Sequence, residues 1–235
     1  MEKRKPIFII ASMLVLLAAL ITLFDIVVGM SLSIEDTPKT GLDYIELFNT
    51  NRFLGFYNLD FINFLNTFVI FAYFIVIIIF ILKRINGLKA ITLLLITSGT
   101  VMLVINNGAF EMFRLSRDYF LSNSINDMQL ILENADSLLE RSSHGSISNF
   151  YGYFILSISN IFLAYLLFKE GFIRKTVSIL GLVGYIVLSV YVILITFVFE
   201  LTTPVMGLAA IGGILALFWQ FHVVKSLLTI SKSKS

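Results

Sequence analysis

At 235 residues the chain suits one domain, and 58% of it is hydrophobic against 14% charged, with a mean hydropathy of +0.93. A soluble domain is about half apolar and about a quarter charged, so we predict an integral membrane protein with the lipid bilayer as its main partner. The net charge of +2, without a clustered basic face, argues against a nucleic-acid partner, and the lack of cysteine excludes disulfides and thiolate chemistry.

Six apolar segments are each long enough to cross a bilayer, which takes ~20 helical residues. The first is too long for the apolar core of a signal peptide, and we interpret it as a retained helix. Strand-type alternation is absent, and backbone groups in the bilayer must be paired within each span. We therefore predict an all-α polytopic protein, a single bundle of six transmembrane helices. The predicted spans are residues 7–30, 61–82, 88–107, 149–168, 176–199 and 205–228.

The basic residues predict the orientation of the chain. Most of the 17 lysines and arginines lie at the ends of spans that would share one side: Lys3, Arg4, Lys5, Lys83, Arg84, Lys89, Lys169, Arg174, Lys175, Lys225, Lys232 and Lys234. The positive-inside rule then puts both termini in the cytoplasm. We expect a multi-pass protein of a bacterial plasma membrane.

The two long connections, residues 31–60 and 108–148, are expected on the outer side. The second holds the segment INDMQLILENADSLLER, in which Ile125, Met128, Leu132, Ala135 and Leu139 recur at helical spacing. We predict an amphipathic extracellular helix between spans three and four. It would lie on the bundle or on the outer leaflet.

Polar residues gather toward the predicted outer ends of the spans, and ionisable residues in spans are functional candidates. If their helix faces converge, they form a polar vestibule that opens outward, with Gly108 allowing the chain to turn. Span four would contribute Asn149, Tyr153, Ser157 and Asn160 to the polar face, and span five would end in Glu200. The residues that we predict for a ligand site are Asp25, Asp60, Asn63, Asn107, Glu111 and Arg114.

The carboxylates of this set allow several kinds of chemistry. Their oxygens suit a hard cation, and they equally suit a cationic or hydroxylated ligand or a proton relay. Alternatively they are solvated at the headgroup level or paired with Arg114 and Arg117. Asn66 and Asn160 are interpreted as interhelical hydrogen-bonding residues. The sequence identifies neither a cofactor nor a particular metal.

Motifs that would define an enzyme are not found. HExxH, GxSxG and a glycine-rich phosphate loop are absent, and His144 and His222 fall on opposite predicted sides. Gly181 with Gly184 forms a small-residue helix face, as do Ala209 with Gly213 and Gly212 with Ala216, and such faces predict close helix packing. Trp219 and Phe221 are interpreted as an interfacial anchor.

The second half of the chain resembles the "domain of unknown function 4386" family of small bacterial six-span membrane proteins. The resemblance rests on Tyr151-Gly152-Tyr153, on the stretch LAYLLFKEG and on ILGLVGY after a short basic turn. The family's histidine near the start of span four and proline in the basic turn are not found here. The resemblance implies a fold and a membrane location but no activity.

The favoured hypothesis is a non-enzymatic binding, transport or sensory-accessory role for the vestibule. One alternative is an intramembrane metal-assisted lipid hydrolase, whose metal cage would have to be built from oxygen ligands. Another is a subunit of a permease complex or an immunity protein against an envelope-active peptide. In that case a membrane-protein partner or a second copy of the chain would cover its surface.

Overall fold

A computed structural model describes residues 5–31, 38–82, 86–143, 145–198 and 202–233 of the chain. The described residues form helices and their connections, and six helices are long and apolar enough to cross a membrane. The predicted all-α polytopic bundle is therefore confirmed. Glu200 and His144 lie outside the described residues.

The six long helices are α1 (Lys5–Ser31), α4 (Phe61–Ile75), α5 (Gly87–Asn106), α8 (Ile147–Lys169), α9 (Lys175–Phe197) and α10 (Thr202–Ser233), and α4 continues as a π-helical segment, Val76–Ile81. Each long helix packs on the next along the chain, and α10 and α4 both pack on α1. The six therefore close into a ring around one core.

Four further helices lie within the two segments predicted as outer connections: α2 (Gly41–Thr50), α3 (Arg52–Asn58), α6 (Ala109–Leu121) and α7 (Ile125–Ser142). They pack on one another at one end of the bundle, and we call them the cap. Their shared core includes Ile45, Phe48, Met112, Leu115 and Leu138. The cap thus buries its apolar faces in protein.

The predicted amphipathic helix is α7, which forms part of the cap and packs against α2, α6 and α8. Ala135 and Leu139 are buried as the periodicity predicted, but Ile125 is 83% exposed. Ile125 is the first residue of α7, and its side chain stays outside the cap core.

The opposite end of the bundle is closed by an ion pair. Lys89 of α5 has its Nζ 2.7 Å from Oε1 of Glu170, which follows α8, and the lysine is buried. The same ammonium donates to the Leu82 carbonyl at 3.1 Å. A buried charge is stable only when it is paired and hydrogen-bonded, so this contact ties the connection after α4 to the connection after α8.

Trp219 is fully buried in the bundle core, so its interpretation as an interfacial anchor was wrong. Its ring packs edge-on against Tyr185, with the centroids 5.6 Å apart. Gly181 makes the space, because a Cβ there would lie 2.6 Å from the indole ring. Phe221, two residues on, is partly exposed.

The predicted small-residue faces bring α9 and α10 together. A Cβ on Gly184 would meet the Ala216 backbone nitrogen at 2.9 Å and the Gly212 carbonyl at 3.2 Å. Only a residue without a side chain allows two backbones to approach so closely. Gly108 has a similar role, because a Cβ there would lie 2.5 Å from the Ser142 hydroxyl. The need for glycine at position 108 thus comes from the close contact with α7, because any residue could adopt its φ of −92°.

Gly184→Ala is expected to destabilise the protein by about 1–3 kcal/mol, the usual cost of overpacking, because backbone atoms of α10 cannot yield. Gly207→Ala is the matched control: Gly207 lies in α10 and has open space around its Cβ position. There alanine is expected to be neutral or stabilising by about 0.5–1 kcal/mol. Chemical unfolding in detergent measures both. Equal stability of the two variants would contradict the close α9–α10 contact.

Candidate functional site

Two carboxylates, one in α1 and one just before α4, meet near the cap end of the bundle. The Asn63 amide nitrogen of α4 lies 3.4 Å from Oδ2 of Asp25 in α1 and 3.4 Å from Oδ1 of Asp60. We call Asp25, Asp60 and Asn63 the carboxylate cluster. Both distances exceed the usual 2.7–3.2 Å of an N–H···O bond. One amide therefore bridges the two acids, and it holds each of them loosely.

The backbone at Asp60 is unusual and positions its side chain. Asp60 has φ 56° and ψ 25°, and it is the one non-glycine residue with positive φ in the described part of the chain. Aspartate tolerates this left-handed conformation better than most residues do. Although Asp60 precedes the first turn of α4, its side chain does not cap the helix. The conformation instead leaves the carboxylate beside Asn63.

Asn107 supports this turn from α5. Its amide donates to the carbonyl of Leu59 at 3.1 Å, and its carbonyl oxygen accepts from the backbone of Ala109 at 3.2 Å. Asn107 therefore connects the start of α6 to the residue before Asp60. Its contact is with the backbone of the turn, so it positions Asp60.

Tyrosines enclose the cluster from the cap and from α8. The Tyr57 hydroxyl of α3 donates to the Asp25 backbone carbonyl at 3.0 Å. Gly29, one turn after Asp25, leaves room for it, since a Cβ there would lie 3.1 Å from that hydroxyl. From the other side Tyr153 of α8 lies close enough to interact with the Asp60 carboxylate. Tyr57 was missed in the sequence because α3 was not recognised as a helix.

The charges of the cluster influence tyrosines of the cap. Burial raises the pKa of Tyr57, and the Asp25 carboxylate adds to the increase. Burial likewise raises the pKa of Tyr44 to about 12, with a further contribution from Asp60. The cap tyrosines next to the cluster therefore stay protonated as hydrogen-bond donors far above neutral pH.

One turn further into the bundle, α1 and α4 share a second polar contact. The Asn66 amide donates to the Thr22 hydroxyl at 3.1 Å, as expected for an interhelical asparagine. Asn66 is 5% exposed, and its Oδ1 is buried without a hydrogen-bond partner in the structure. The α1–α4 interface thus carries a buried acceptor directly below the carboxylate cluster.

Glu111 and Arg114 were predicted at this site, but the contacts that form the cluster do not include them. The Glu111 carboxylate pairs with Arg141 of α7 at 3.0 Å and is 48% exposed. Its partner is therefore neither Arg114 nor Arg117, and Arg117 itself lies 3.4 Å from Asp118. Arg114 is exposed on α6. Both residues lie on the face of α6 that points away from the cap core, because the cap core occupies the opposite face.

A separate polar group lies in the middle of the bundle. Tyr73 of α4 donates to the Asn160 side chain of α8 at 2.9 Å, so the interhelical interpretation of Asn160 is confirmed. Tyr185 of α9 and Gln220 of α10 lie close to the Tyr73 hydroxyl and complete the group. Four helices are joined by these contacts. Such bonds average ~0.6 kcal/mol each in a membrane, and they fix how the helices are rotated.

Among the described residues, no group of three or more histidine, aspartate or glutamate side chains is placed to hold a metal ion. The carboxylate cluster contributes two carboxylates, one amide and neighbouring hydroxyl groups. Chemically, this arrangement offers negative charge and hydrogen-bond acceptors to a ligand.

Raising the pH through about 10 to 12 is expected to destabilise the protein through Tyr44. Its pKa is higher in the folded state than its ordinary value of 10, so the stabilisation is complete below pH ~10 and is lost as the pH approaches ~12. A difference of about two pKa units corresponds to about 2–3 kcal/mol. Tyr44→Phe keeps the buried ring and should lose less stability over this range. Unfolding in detergent at several pH values measures this, and parallel curves would contradict it.

Comparison with known proteins found no family model, no curated protein and no solved structure that matches the chain. The resemblance to the "domain of unknown function 4386" family therefore stays a prediction from the sequence.

Proposed function

We propose that this is a non-enzymatic membrane protein that binds a cationic ligand at the carboxylate cluster, in a transport or sensory-accessory role. The observation that supports this most directly is the meeting of Asp25 and Asp60 at the single amide of Asn63. Two neighbouring carboxylates repel one another, and the repulsion is stronger near a bilayer than in water. A bound cation offsets this repulsion.

The side chains of the cluster indicate which kind of cation it would bind. The cluster combines carboxylate oxygens with tyrosine hydroxyls and an amide, and its two Asn63 contacts are long. A hard divalent ion prefers six to eight oxygens at 2.0–2.6 Å, which demands a tighter cage. An ammonium group needs fewer contacts, and its N···O distances are longer, at ~2.7–2.9 Å. The proposed ligand therefore carries an amine.

The proposed location is a bacterial plasma membrane, with both termini in the cytoplasm and the cap outside. The distribution of lysine and arginine supports this, since the ends of the bundle opposite the cap carry Lys89, Lys169, Arg174, Lys175 and Lys225. Under this orientation the carboxylate cluster lies toward the external face of the membrane.

A role as a subunit of a larger complex is a second candidate, favoured by one feature of the cap. At the junction of α6 and α7, Leu121 and Ile125 are 71% and 83% exposed. Large apolar side chains that project together from a cap are typical of protein interfaces. The partner would be another membrane protein or a second copy of this chain.

Methylammonium at about 100 times its dissociation constant is expected to stabilise the wild-type protein by about 2.7 kcal/mol. Asp25→Asn and Asp60→Asn should each abolish this effect, because they remove one of the two charges. Asparagine also tolerates the left-handed backbone of residue 60. Thermal unfolding in detergent at constant ionic strength measures the stabilisation.

Glu111→Gln is the matched control for this experiment. It removes an exposed carboxylate of the cap that pairs with Arg141 rather than joining the cluster. Its response to methylammonium should equal that of the wild type. Stabilisation of all four proteins to the same extent, or of none, would contradict ligand binding at the cluster.

The orientation is tested with single cysteines, since the natural chain has none. Asn123→Cys lies at the exposed junction of α6 and α7, and Thr176→Cys is exposed near the start of α9 at the opposite end. A membrane-impermeant maleimide should label Asn123→Cys in intact cells and Thr176→Cys only after permeabilisation. The reverse pattern would place the termini outside.

A further inference from the structure

An apolar groove between two spans lies next to the carboxylate cluster. Its walls are formed by Leu20, Ile21 and Phe24 of α1 and by Ile62 and Leu65 of α4. Leu20, Phe24 and Leu65 are exposed, so the groove is open to the side of the bundle. In a membrane that side faces lipid. The groove volume of about 230 Å³ is below the ~300–1,000 Å³ of pockets that hold a whole small molecule, so it suits one segment of a chain.

The groove and the cluster are built from the same two helices. Ile21 precedes Asp25 by four residues, which puts both on one face of α1, one turn or ~5.4 Å apart. In α4, Ile62 is adjacent to Asn63, whose amide bridges the two carboxylates. A molecule that lies along this interface therefore meets the groove first and the charges about one turn later.

Aromatic contacts connect the groove to the cap. Phe24, a wall of the groove, packs edge-on against Phe53, and Phe53 stacks on Tyr57, each at 6.3 Å between centroids. Tyr57 in turn donates to the Asp25 carbonyl. The wall of the groove is thus linked to Asp25 through Phe53 and Tyr57.

The same interface also carries a buried hydrogen-bond acceptor without a partner. Oδ1 of Asn66 is buried without a partner, while its amide is held by Thr22. A buried acceptor without a donor costs free energy, and native structures contain few of them. This acceptor lies one turn below the cluster on the same two helices, where Asn66 contacts Thr22.

We propose that the ligand is an amphiphile with a primary ammonium head and a single alkyl chain. The head binds between Asp25 and Asp60, and the chain enters the groove from the bilayer. This inference rests on the proposed function, since it needs a cation at the carboxylate cluster. Charge complementarity selects the head, and the lipid-facing opening of the groove selects the chain.

The test compares methylammonium with dodecylammonium by calorimetric titration of the full-length protein in nanodiscs of zwitterionic lipid, with binding to empty nanodiscs subtracted. Leu65→Trp fills the groove, and Leu94→Trp is the control at a 68% exposed position of α5. Leu65→Trp should weaken dodecylammonium by about tenfold, because the many weak chain contacts are lost together. Methylammonium binding should not change, and Leu94→Trp should resemble the wild type with both probes.

The outcomes separate the two proposals. Asp25→Asn should weaken the binding of both probes, and dodecyl sulfate should not bind. If Asp25→Asn weakens the binding of both probes while Leu65→Trp changes the binding of neither, the proposal of cation binding stands and the amphiphile inference is overturned. If Asp25→Asn changes neither probe, both proposals fail. Equal binding of dodecyl sulfate and dodecylammonium would also overturn the inference, because it would show chain partitioning without recognition of charge.

Discussion

A polar group inside a bilayer is costly unless the protein pairs it, because hydrocarbon offers no partner. This constraint determines how the spans are arranged. Tyr73 pairs with Asn160, and Asn66 pairs with Thr22. Each pair fixes the rotation of two helices relative to one another, and Gly184 sets how closely the backbones of α9 and α10 approach. The ring of six spans is the arrangement in which these pairs form together.

The carboxylate cluster exists because the bundle meets a second, smaller core. The cap buries Tyr44, Phe48 and Met112 as a water-soluble domain would, and the end of α3 leads directly into α4 through the left-handed turn at Asp60. That turn is held by Asn107 from the bundle. Neither part alone places both acids: Asp25 comes from a span, and Asp60 comes from the junction with the cap.

The sequence predicted what depends on local pattern. Hydropathy along the chain identifies spans, and a spacing of three residues puts Asp60 and Asn63 near each other at the start of α4. The sequence did not predict what depends on distant partners. Trp219 is buried because Gly181 lies across from it. Glu111 lies near the cap end of a span as the cluster residues do, but the cap core occupies the inner face of α6, and this residue pairs with Arg141 instead.

The location of the cluster bears on how a ligand reaches it. A soluble cation would have to cross the cap, where Tyr57 covers Asp25 from above. A molecule dissolved in the bilayer is already concentrated beside α1 and α4, and it reaches the carboxylates by lateral movement along the groove. Its chain gains no hydrophobic transfer free energy by leaving lipid for the groove, since both are apolar, and the groove contributes only packing contacts. Affinity must then come mainly from the charged head, while the groove determines which molecules present that head at the correct depth.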